Sequence, residues 1–301
     1  MIDPFQGDKD AGLAACAGAV GALAPRLNDL AAGGGGGDLV AGVRLFVLLS
    51  LWGNRMDLSI WPAGGAGACG GAGEEASATR AHAAFAEAMS AGERCLLHDD
   101  SAAAANALLA HGCERVGIVV DNAGFELVCD LALADAIVCA RRRAAAAAAG
   151  SSSARQVTVT LHVKAHPTFV SDAMCKDVRA TVAAMCESGD AAVAVMGHRW
   201  NSHIEAGAWV IKPAFAWAQP QPLWELPRGA RNSLAAEDLV VIKGAEGGKG
   251  LPTTSLLLFT VSILAQSRRY DARANISCLY CRSRISHPKT QAELVQAPSV
   301  Y

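Results

Sequence analysis

Three side chains offer hard oxygen donors just beyond apolar, β-branched runs: Asp121 and Asn122 after RVGIVV, and Asp172 a short way after VTVTLHVK. Carboxylate and amide oxygens suit Mg2+ or Mn2+ better than zinc. The same residue types also cap helices, so Asp121-Asn122 and Ser171-Asp172 serve equally well as N-terminal caps. What points to chemistry is convergence, because neighbouring parallel strands bring their carboxyl ends to one sheet edge, where open α/β folds bind ligands. Glu126 falls on the first turn of the helix expected after Asn122, where the dipole favours its charge and the side chain faces the same crevice. Its plain alternative is a first-turn anion. Lys164 directly follows a strand and could meet a phosphate as a point charge, or snorkel along an apolar surface to water.

The elements that must position these groups are legible in the pattern. Val116 to Val120 is an almost unbroken apolar run, the mark of a strand buried on both faces. Gly124 permits a sharp turn, and Leu127, Leu131 and Ala134 recur at helical spacing. Val157 to Val163 predicts a second strand and Leu239 to Ile242 a third, closing on Lys243-Gly244. Strands alternating with helices predict an α/β protein with a mainly parallel sheet. Other helices are expected over Ala11 to Leu30, Leu39 to Leu51, Ala76 to Met89, Ala102 to His111 (capped by Ser101) and Asp172 to Cys186. A short strand is expected at Arg94 to His98. Trp200 to Pro227, with its tryptophans and prolines, predicts a loop-rich segment packed over one sheet edge. Glycines 33–37 and the Gly/Ala tract 63–73 are connections.

Three parts follow: residues 1–92, helical with Gly-rich linkers; 93–244, an α/β core with an insert at 141–154; and 245–301, where the alternation stops. The insert RRRAAAAAAGSSSA lacks interleaved aromatics and makes a poor nucleic-acid arm. Net charge is −2, from 26 basic and 28 acidic side chains, so no global field attracts nucleic acid or an anionic membrane. The longest apolar run, Leu256 to Ala265, falls short of the roughly 20 residues that span a bilayer. The start, MIDPFQGDKD, has no cationic apolar leader, and the scattered cysteines suit reduced thiols; an intracellular, cytoplasmic protein is expected. Cys278 and Cys281 form a lone CxxC, weak evidence for zinc or redox work. His162, on a strand, is expected to be a satisfied core residue.

Several segments together resemble the metal-dependent damage-control phosphatases, also described as acidic-residue (protein-glutamate) O-methyltransferase-like. These are VVDNAGFELVCDLALAD, HVKAHPTFVSDAMCKDV, LWGNRMDLSI and DLVVIKG, with DPF at the start and GAWVIKPAFAW before PLWELP. The resemblance implies a three-layer α/β/α core with an N-terminal helical part, hydrolysis of small phosphate monoesters such as sugar phosphates, and a Mn2+ cofactor or Mg2+, Co2+ or Ni2+. It makes Asp121, Asn122 and Asp172 the metal ligands at the catalytic centre, and it places Glu126 in the substrate or cofactor pocket. On the residue reading above, Lys164 is expected to join Asp121, Asn122 and Glu126 as a substrate contact, and the expected partner is a small phosphorylated metabolite. Carboxyl methylation with S-adenosylmethionine is also ascribed to some members. An inactive metal-binding protein is a further alternative, because the sequence departs from the family after Gly244. There the usual D-L-N-Y-R is replaced by Ala245, Glu246, Gly247, Gly248 and Lys249, and no later R-T-x-K element follows. The chain opens at what resembles an internal DPF motif, the pattern of a shortened or alternatively spliced form.

Overall fold

The computed structural model describes residues 2–33, 38–60, 96–147, 156–168, 170–220, 225–246, 256–265 and 277–284. The helix expected at 76–89, the tract 63–73 and glycines 34–37 lie outside these residues. The elements in chain order are α1 (Gln6–Ala15), α2 (Ala17–Ala32), α3 (Leu39–Ile60), β1 (Leu96–His98), α4 (Ser101–Leu109), β2 (Arg115–Val119) and α5 (Phe125–Ala147). Then come β3 (Thr158–Lys164), α6 (Cys175–Cys186), α7 (Ala191–Glu205), β4 (Trp209–Ala214), a 3-10 turn (Phe215–Ala218), α8 (Arg228–Ala235), β5 (Leu239–Glu246), β6 (Leu256–Ala265) and β7 (Ser277–Arg284).

The strand order is β1-β7-β6-β5-β2-β3-β4. Its centre, β5-β2-β3-β4, is parallel throughout, and β6, β7 and β1 extend it by antiparallel pairing beyond β5. The period of two in a strand sends alternate side chains to opposite faces. Val116, Ile118, Val159, Leu161, Leu239 and Val241 join the main core with α2 to α7. Val119, Val240 and Ile242 instead join a smaller cluster with Trp217 of the 3-10 turn and Leu234 of α8. The result is the α/β/α layering expected.

Helix α5 is the centre of the main core. Every residue from Phe125 to Ala140 is buried, including the acids Glu126, Asp130 and Asp135. A helix covered on all sides is apolar on all sides except where a partner compensates each charge. Glu126 and Asp130, one turn apart, share a face and look toward the end of β5; Asp135 looks toward α7.

Several sequence expectations change. The single helix at Ala11 to Leu30 is two helices, interrupted at Cys16, whose thiol donates to the Leu13 carbonyl at 3.0 Å. Helix α3 runs on through LWGNRMDLSI. Ser101 does not cap α4 but is its first residue; Asp100 is the N-cap position, and Asp99 Oδ1 accepts from the Ser101 N–H at 2.9 Å. The span from Trp200 to Pro227 holds the end of α7 and the edge strand β4. Two of the arginines at 141–143 are tied into the fold. Arg141 donates to the Leu109 and Ala110 carbonyls, both at 2.7 Å, and Arg143 to the Leu30 carbonyl at 2.9 Å, so two cations close the C-terminal ends of α4 and α2. No helix among the described residues is long and apolar enough to cross a membrane.

Candidate metal centre

The carboxyl ends of β2 and β3 carry the site. Beyond β2 the ladder continues for one more bond, from the Val120 N–H to the His162 carbonyl at 2.9 Å, and the chain then leaves the sheet with Asp121 and Asn122. Gly124 adopts φ +74°, a conformation that favours glycine, and α5 begins at the next residue. The loop after β3 returns across this turn. Asn122 and Asp172 form an antiparallel bridge, the Ala123 N–H donates to the Ser171 carbonyl at 2.7 Å, and the Ala173 N–H donates to the Asp121 carbonyl at 2.9 Å. Helix α6 starts only at Cys175, so Asp172 lies in this extended crosspiece and not in the helix expected from the sequence. Main-chain hydrogen bonds thus set the relative position of the two loops.

The side chains converge as their spacing implies. Lys164 is buried, and its ammonium bridges the two acids: it pairs with the Asp121 carboxylate, lies 3.2 Å from Asp172 Oδ1, and donates to the Asp121 carbonyl at 2.5 Å. Lys164 is therefore neither a surface lysine nor distant from the metal-type ligands. Asn122 Nδ2 donates to Asp121 Oδ2 at 3.2 Å and to Glu126 Oε2 at 2.8 Å, while its Oδ1 accepts from the Ser171 hydroxyl at 2.8 Å. The side chain of Asp121 is 42% exposed and that of Asp172 7%, so the crevice opens to solvent on the Asp121 side.

Behind Glu126 stand groups to which the sequence pattern assigned no role in the site. Lys243 Nζ lies 2.6 Å from Glu126 Oε1 and 3.0 Å from Asp130 Oδ1, and the Ser50 hydroxyl donates to Asp130 Oδ1 at 2.7 Å. Burial alone would favour a neutral Lys243, but Asp130 and Glu126 outweigh it and hold the ammonium well above the ordinary lysine range. Burial pushes Asp130 up to about 6, with Glu126 adding to the shift while Lys243 and Ser50 oppose it. On the other side, Lys9 reaches in from α1: its ammonium donates to the Asp172 carbonyl at 2.5 Å, to Asp177 Oδ2 at 2.8 Å and to Asp3 Oδ2 at 2.9 Å. The only sequence signal for Lys9 was its closeness to the DPF motif.

A divalent ion fits this donor set. Asp121, Asn122 and Asp172 offer oxygen alone, and the two carboxylates already converge on a shared cation, the Lys164 ammonium. Among the described residues, the linked network of Asp121, Glu126, Asp130, Asp172, Lys164 and Lys243 has four carboxylates and two ammonium groups. That leaves a formal charge that a divalent cation balances.

A second cluster could hold a metal by distance: the ligand atoms of Asp135, Cys139 and His203, all buried, lie within 4.8 Å of one another. Its contacts favour an ion-pair network instead. Arg199 Nε is 3.1 Å from Asp135 Oδ1 and 2.9 Å from Oδ2, Arg199 NH2 is 2.7 Å from Oδ2, and Trp200 Nε1 donates to Oδ2 at 3.0 Å. Both oxygens of Asp135 are taken by Arg199, Trp200 and His203 on a side chain with no exposure, whereas the Asp121 crevice is open to solvent. Burial and the neighbouring Asp135 also raise the Cys139 thiol far above its ordinary range, against the thiolate a metal needs. His162 is buried against Trp217, yet its Nε2 has no hydrogen-bond partner among the described residues and Glu237 Oε1 is 3.8 Å away. The expectation of a satisfied core histidine does not hold.

Fold and site together define an α/β/α protein with an acidic, oxygen-lined crevice at the carboxyl edge of a parallel sheet. The profile of the Damage-control phosphatase ARMT1-like domain matches residues 1–265, and the chain belongs to this family. The damage-control phosphatase ARMT1 of Danio rerio is 29% identical over 209 residues, covering 66% of this chain and 41% of that protein. That of Xenopus tropicalis is 29% identical over 134 residues, covering 44% and 28% respectively. The Homo sapiens protein is 29% identical over 133 residues, covering 43% and 27%. The chain thus spans between about a quarter and two fifths of the length of these relatives.

Proposed function

We propose that the crevice is the centre of a divalent-metal-dependent phosphatase acting on small phosphate monoesters such as sugar phosphates, with Mn2+ the preferred ion and Mg2+, Co2+ or Ni2+ as substitutes. The observation that supports it is the convergence of Asp121, Asn122 and Asp172 at one sheet edge, with the acids drawn onto a shared cation. Asp121, Asn122 and Asp172 are the ligands and form the catalytic centre. A divalent ion held there supplies charge neutralisation for phosphoryl oxygens and a more acidic water. Lys164 contributes a fixed positive charge to hold the phosphate dianion beside Asp121 and Asn122, and Glu126 lines the same pocket. The open side at Asp121 is where a small phosphorylated metabolite enters.

The test is phosphate release from p-nitrophenyl phosphate and a panel of sugar phosphates, with and without Mn2+. Turnover should be Mn2+-stimulated and fall to background in Asp121→Ala. Activity unchanged by that substitution overturns the assignment, and Mn2+ binding without turnover of any substrate favours an inactive metal-binding protein.

A further inference from the structure

We propose that Lys243 is a positioning residue of this centre. By gripping Glu126 it fixes which way the Asn122 amide is turned. The inference rests on the metal-centre reading above and goes beyond it in assigning a role to groups that do not touch the ion.

An asparagine ligates a hard cation only through Oδ1, and its amide has two orientations of similar shape. In this chain Glu126 Oε2 accepts from Asn122 Nδ2 at 2.8 Å, the shorter of the two bonds that hold the amide nitrogen, the other running to Asp121 Oδ2 at 3.2 Å. Oδ1 is thereby left on the side of Ser171. A glutamate has enough rotamers to let this contact go unless its other oxygen is also held. Lys243 holds it at 2.6 Å, and Lys243 is itself anchored 3.0 Å from Asp130 Oδ1, where the Ser50 hydroxyl also donates at 2.7 Å. The side chains of Lys243, Glu126 and Asp130 are only 5%, 6% and 0% exposed, so water does not compete for these contacts.

The fold delivers this arrangement through two registers. The i, i+4 spacing of Glu126 and Asp130 stacks two carboxylates on one face of α5. Two buried like charges one turn apart repel, and a cation placed between them turns the repulsion into a clamp. Strand β5 runs parallel to β2 with Ile242 opposite Val119, so Lys243, the next residue, reaches the same sheet edge as Asp121. An unbroken path of polar contacts follows, from Ser50 through Asp130, Lys243 and Glu126 to Asn122. Such outer contacts orient metal ligands, and losing one typically weakens metal affinity about 10- to 100-fold.

The experiment measures Mn2+ binding by electron paramagnetic resonance of the free ion, on the full chain, with folding followed by circular dichroism. Wild type, Lys243→Met, Glu126→Ala and the Lys243→Met/Glu126→Ala pair are compared. The expected result is a Kd about 10- to 100-fold higher in Lys243→Met, and less than about a two-fold further effect of that substitution once Glu126 is gone. Should Lys243→Met fail to fold because Asp130 is left buried and unpaired, Lys243→Met/Asp130→Asn removes that charge and should show the same weakening. Wild-type affinity in these Lys243 variants overturns the proposal, as does an undiminished effect of Lys243→Met in the Glu126→Ala background. In both of those results the wild type still binds Mn2+. If the wild type itself binds none, the metal reading falls and the positioning role falls with it.

Discussion

The Lys9 ammonium donates to the main-chain carbonyl of Asp172 at 2.5 Å, tying the first helix to the loop that carries a candidate metal ligand. The same ammonium meets the carboxylates of Asp3 and Asp177, and all three side chains are under 5% exposed. Asp177 in turn accepts from the Met174 N–H at 2.9 Å, which fixes the turn into α6. Asp3, despite the opposing effect of burial, is held well below the usual carboxylate range by Lys176 and Lys9.

Replacing Lys9 with methionine removes the buried one of the two ammonium groups that Asp3 and Asp177 share, leaving Lys176 at 2.8 Å from each. Breaking a buried pair from one side costs about 3–5 kcal/mol. Because Lys176 still faces both acids, Lys9→Met should lower the urea midpoint by less than that equivalent, and the Asp172 loop should show faster amide exchange than in wild type. A midpoint within error of wild type would show that the N-terminal segment is not fastened through Lys9.

The strand, turn and helix from Arg115 to Ala147 were legible because a β-branched run, Gly124 and a 3.6-residue apolar period coincide in one short stretch. Strand β4 was not legible, because it is an edge: its exposure alternates, Val210 is 42% exposed, and Pro213 is tolerated only where no ladder partner needs its N–H. The break at Cys16 falls on neither a Gly nor a Pro, and a thiol-to-carbonyl contact has no pattern in sequence. At the site, Asp121, Asn122 and Asp172 announced themselves by sitting at strand ends. Lys243 also stood at a strand end, but its role, like those of Lys9, Ser50 and Asp130, depends on which buried charges meet across distant segments, and periodicity is blind to that.

The Asp135 network predicts an acid-limb dependence of stability. Burial raises the Asp135 pKa, but His203 and Arg199 outweigh it and hold the carboxyl below its ordinary value. A folded-state value below the unfolded one means that this contribution is complete above the unfolded carboxylate range, near pH 3.9. It is lost as pH falls through the lower folded-state value. Urea midpoints measured between pH 7 and pH 3 should therefore decline in wild type, and less steeply in Asp135→Asn, which starts lower because Arg199 loses its partner. Equal slopes in the two proteins would remove Asp135 from the acid response.

Gly197 marks where α7 crosses the end of α6. A Cβ there would lie 2.5 Å from both the Cys186 nitrogen and the Met185 carbonyl carbon, backbone atoms that cannot swing away. Gly197→Ala should destabilise the protein by about 1–3 kcal/mol through forced separation of the helices, in spite of alanine's better helix propensity. Because neither helix supplies a ligand, Mn2+ affinity of the folded fraction should stay unchanged. A stabilised variant would mean that the helices separate freely at this point.

Asn122→Asp changes the candidate centre without changing its shape. Asn122 Nδ2 donates to both Glu126 and Asp121, and an aspartate would set a third carboxylate against those two. In metal-free protein the lost donor and the added repulsion should together cost about 1–3 kcal/mol, seen as a lower Tm. Mn2+ binds the folded state, so it raises Tm by mass action, and an extra anionic ligand strengthens that attraction. The Mn2+-induced rise in Tm should therefore be larger in Asn122→Asp than in wild type. Equal rises in the two proteins would place the ion away from residue 122, whereas a larger rise places the cation among the oxygens of Asp121, residue 122 and Asp172.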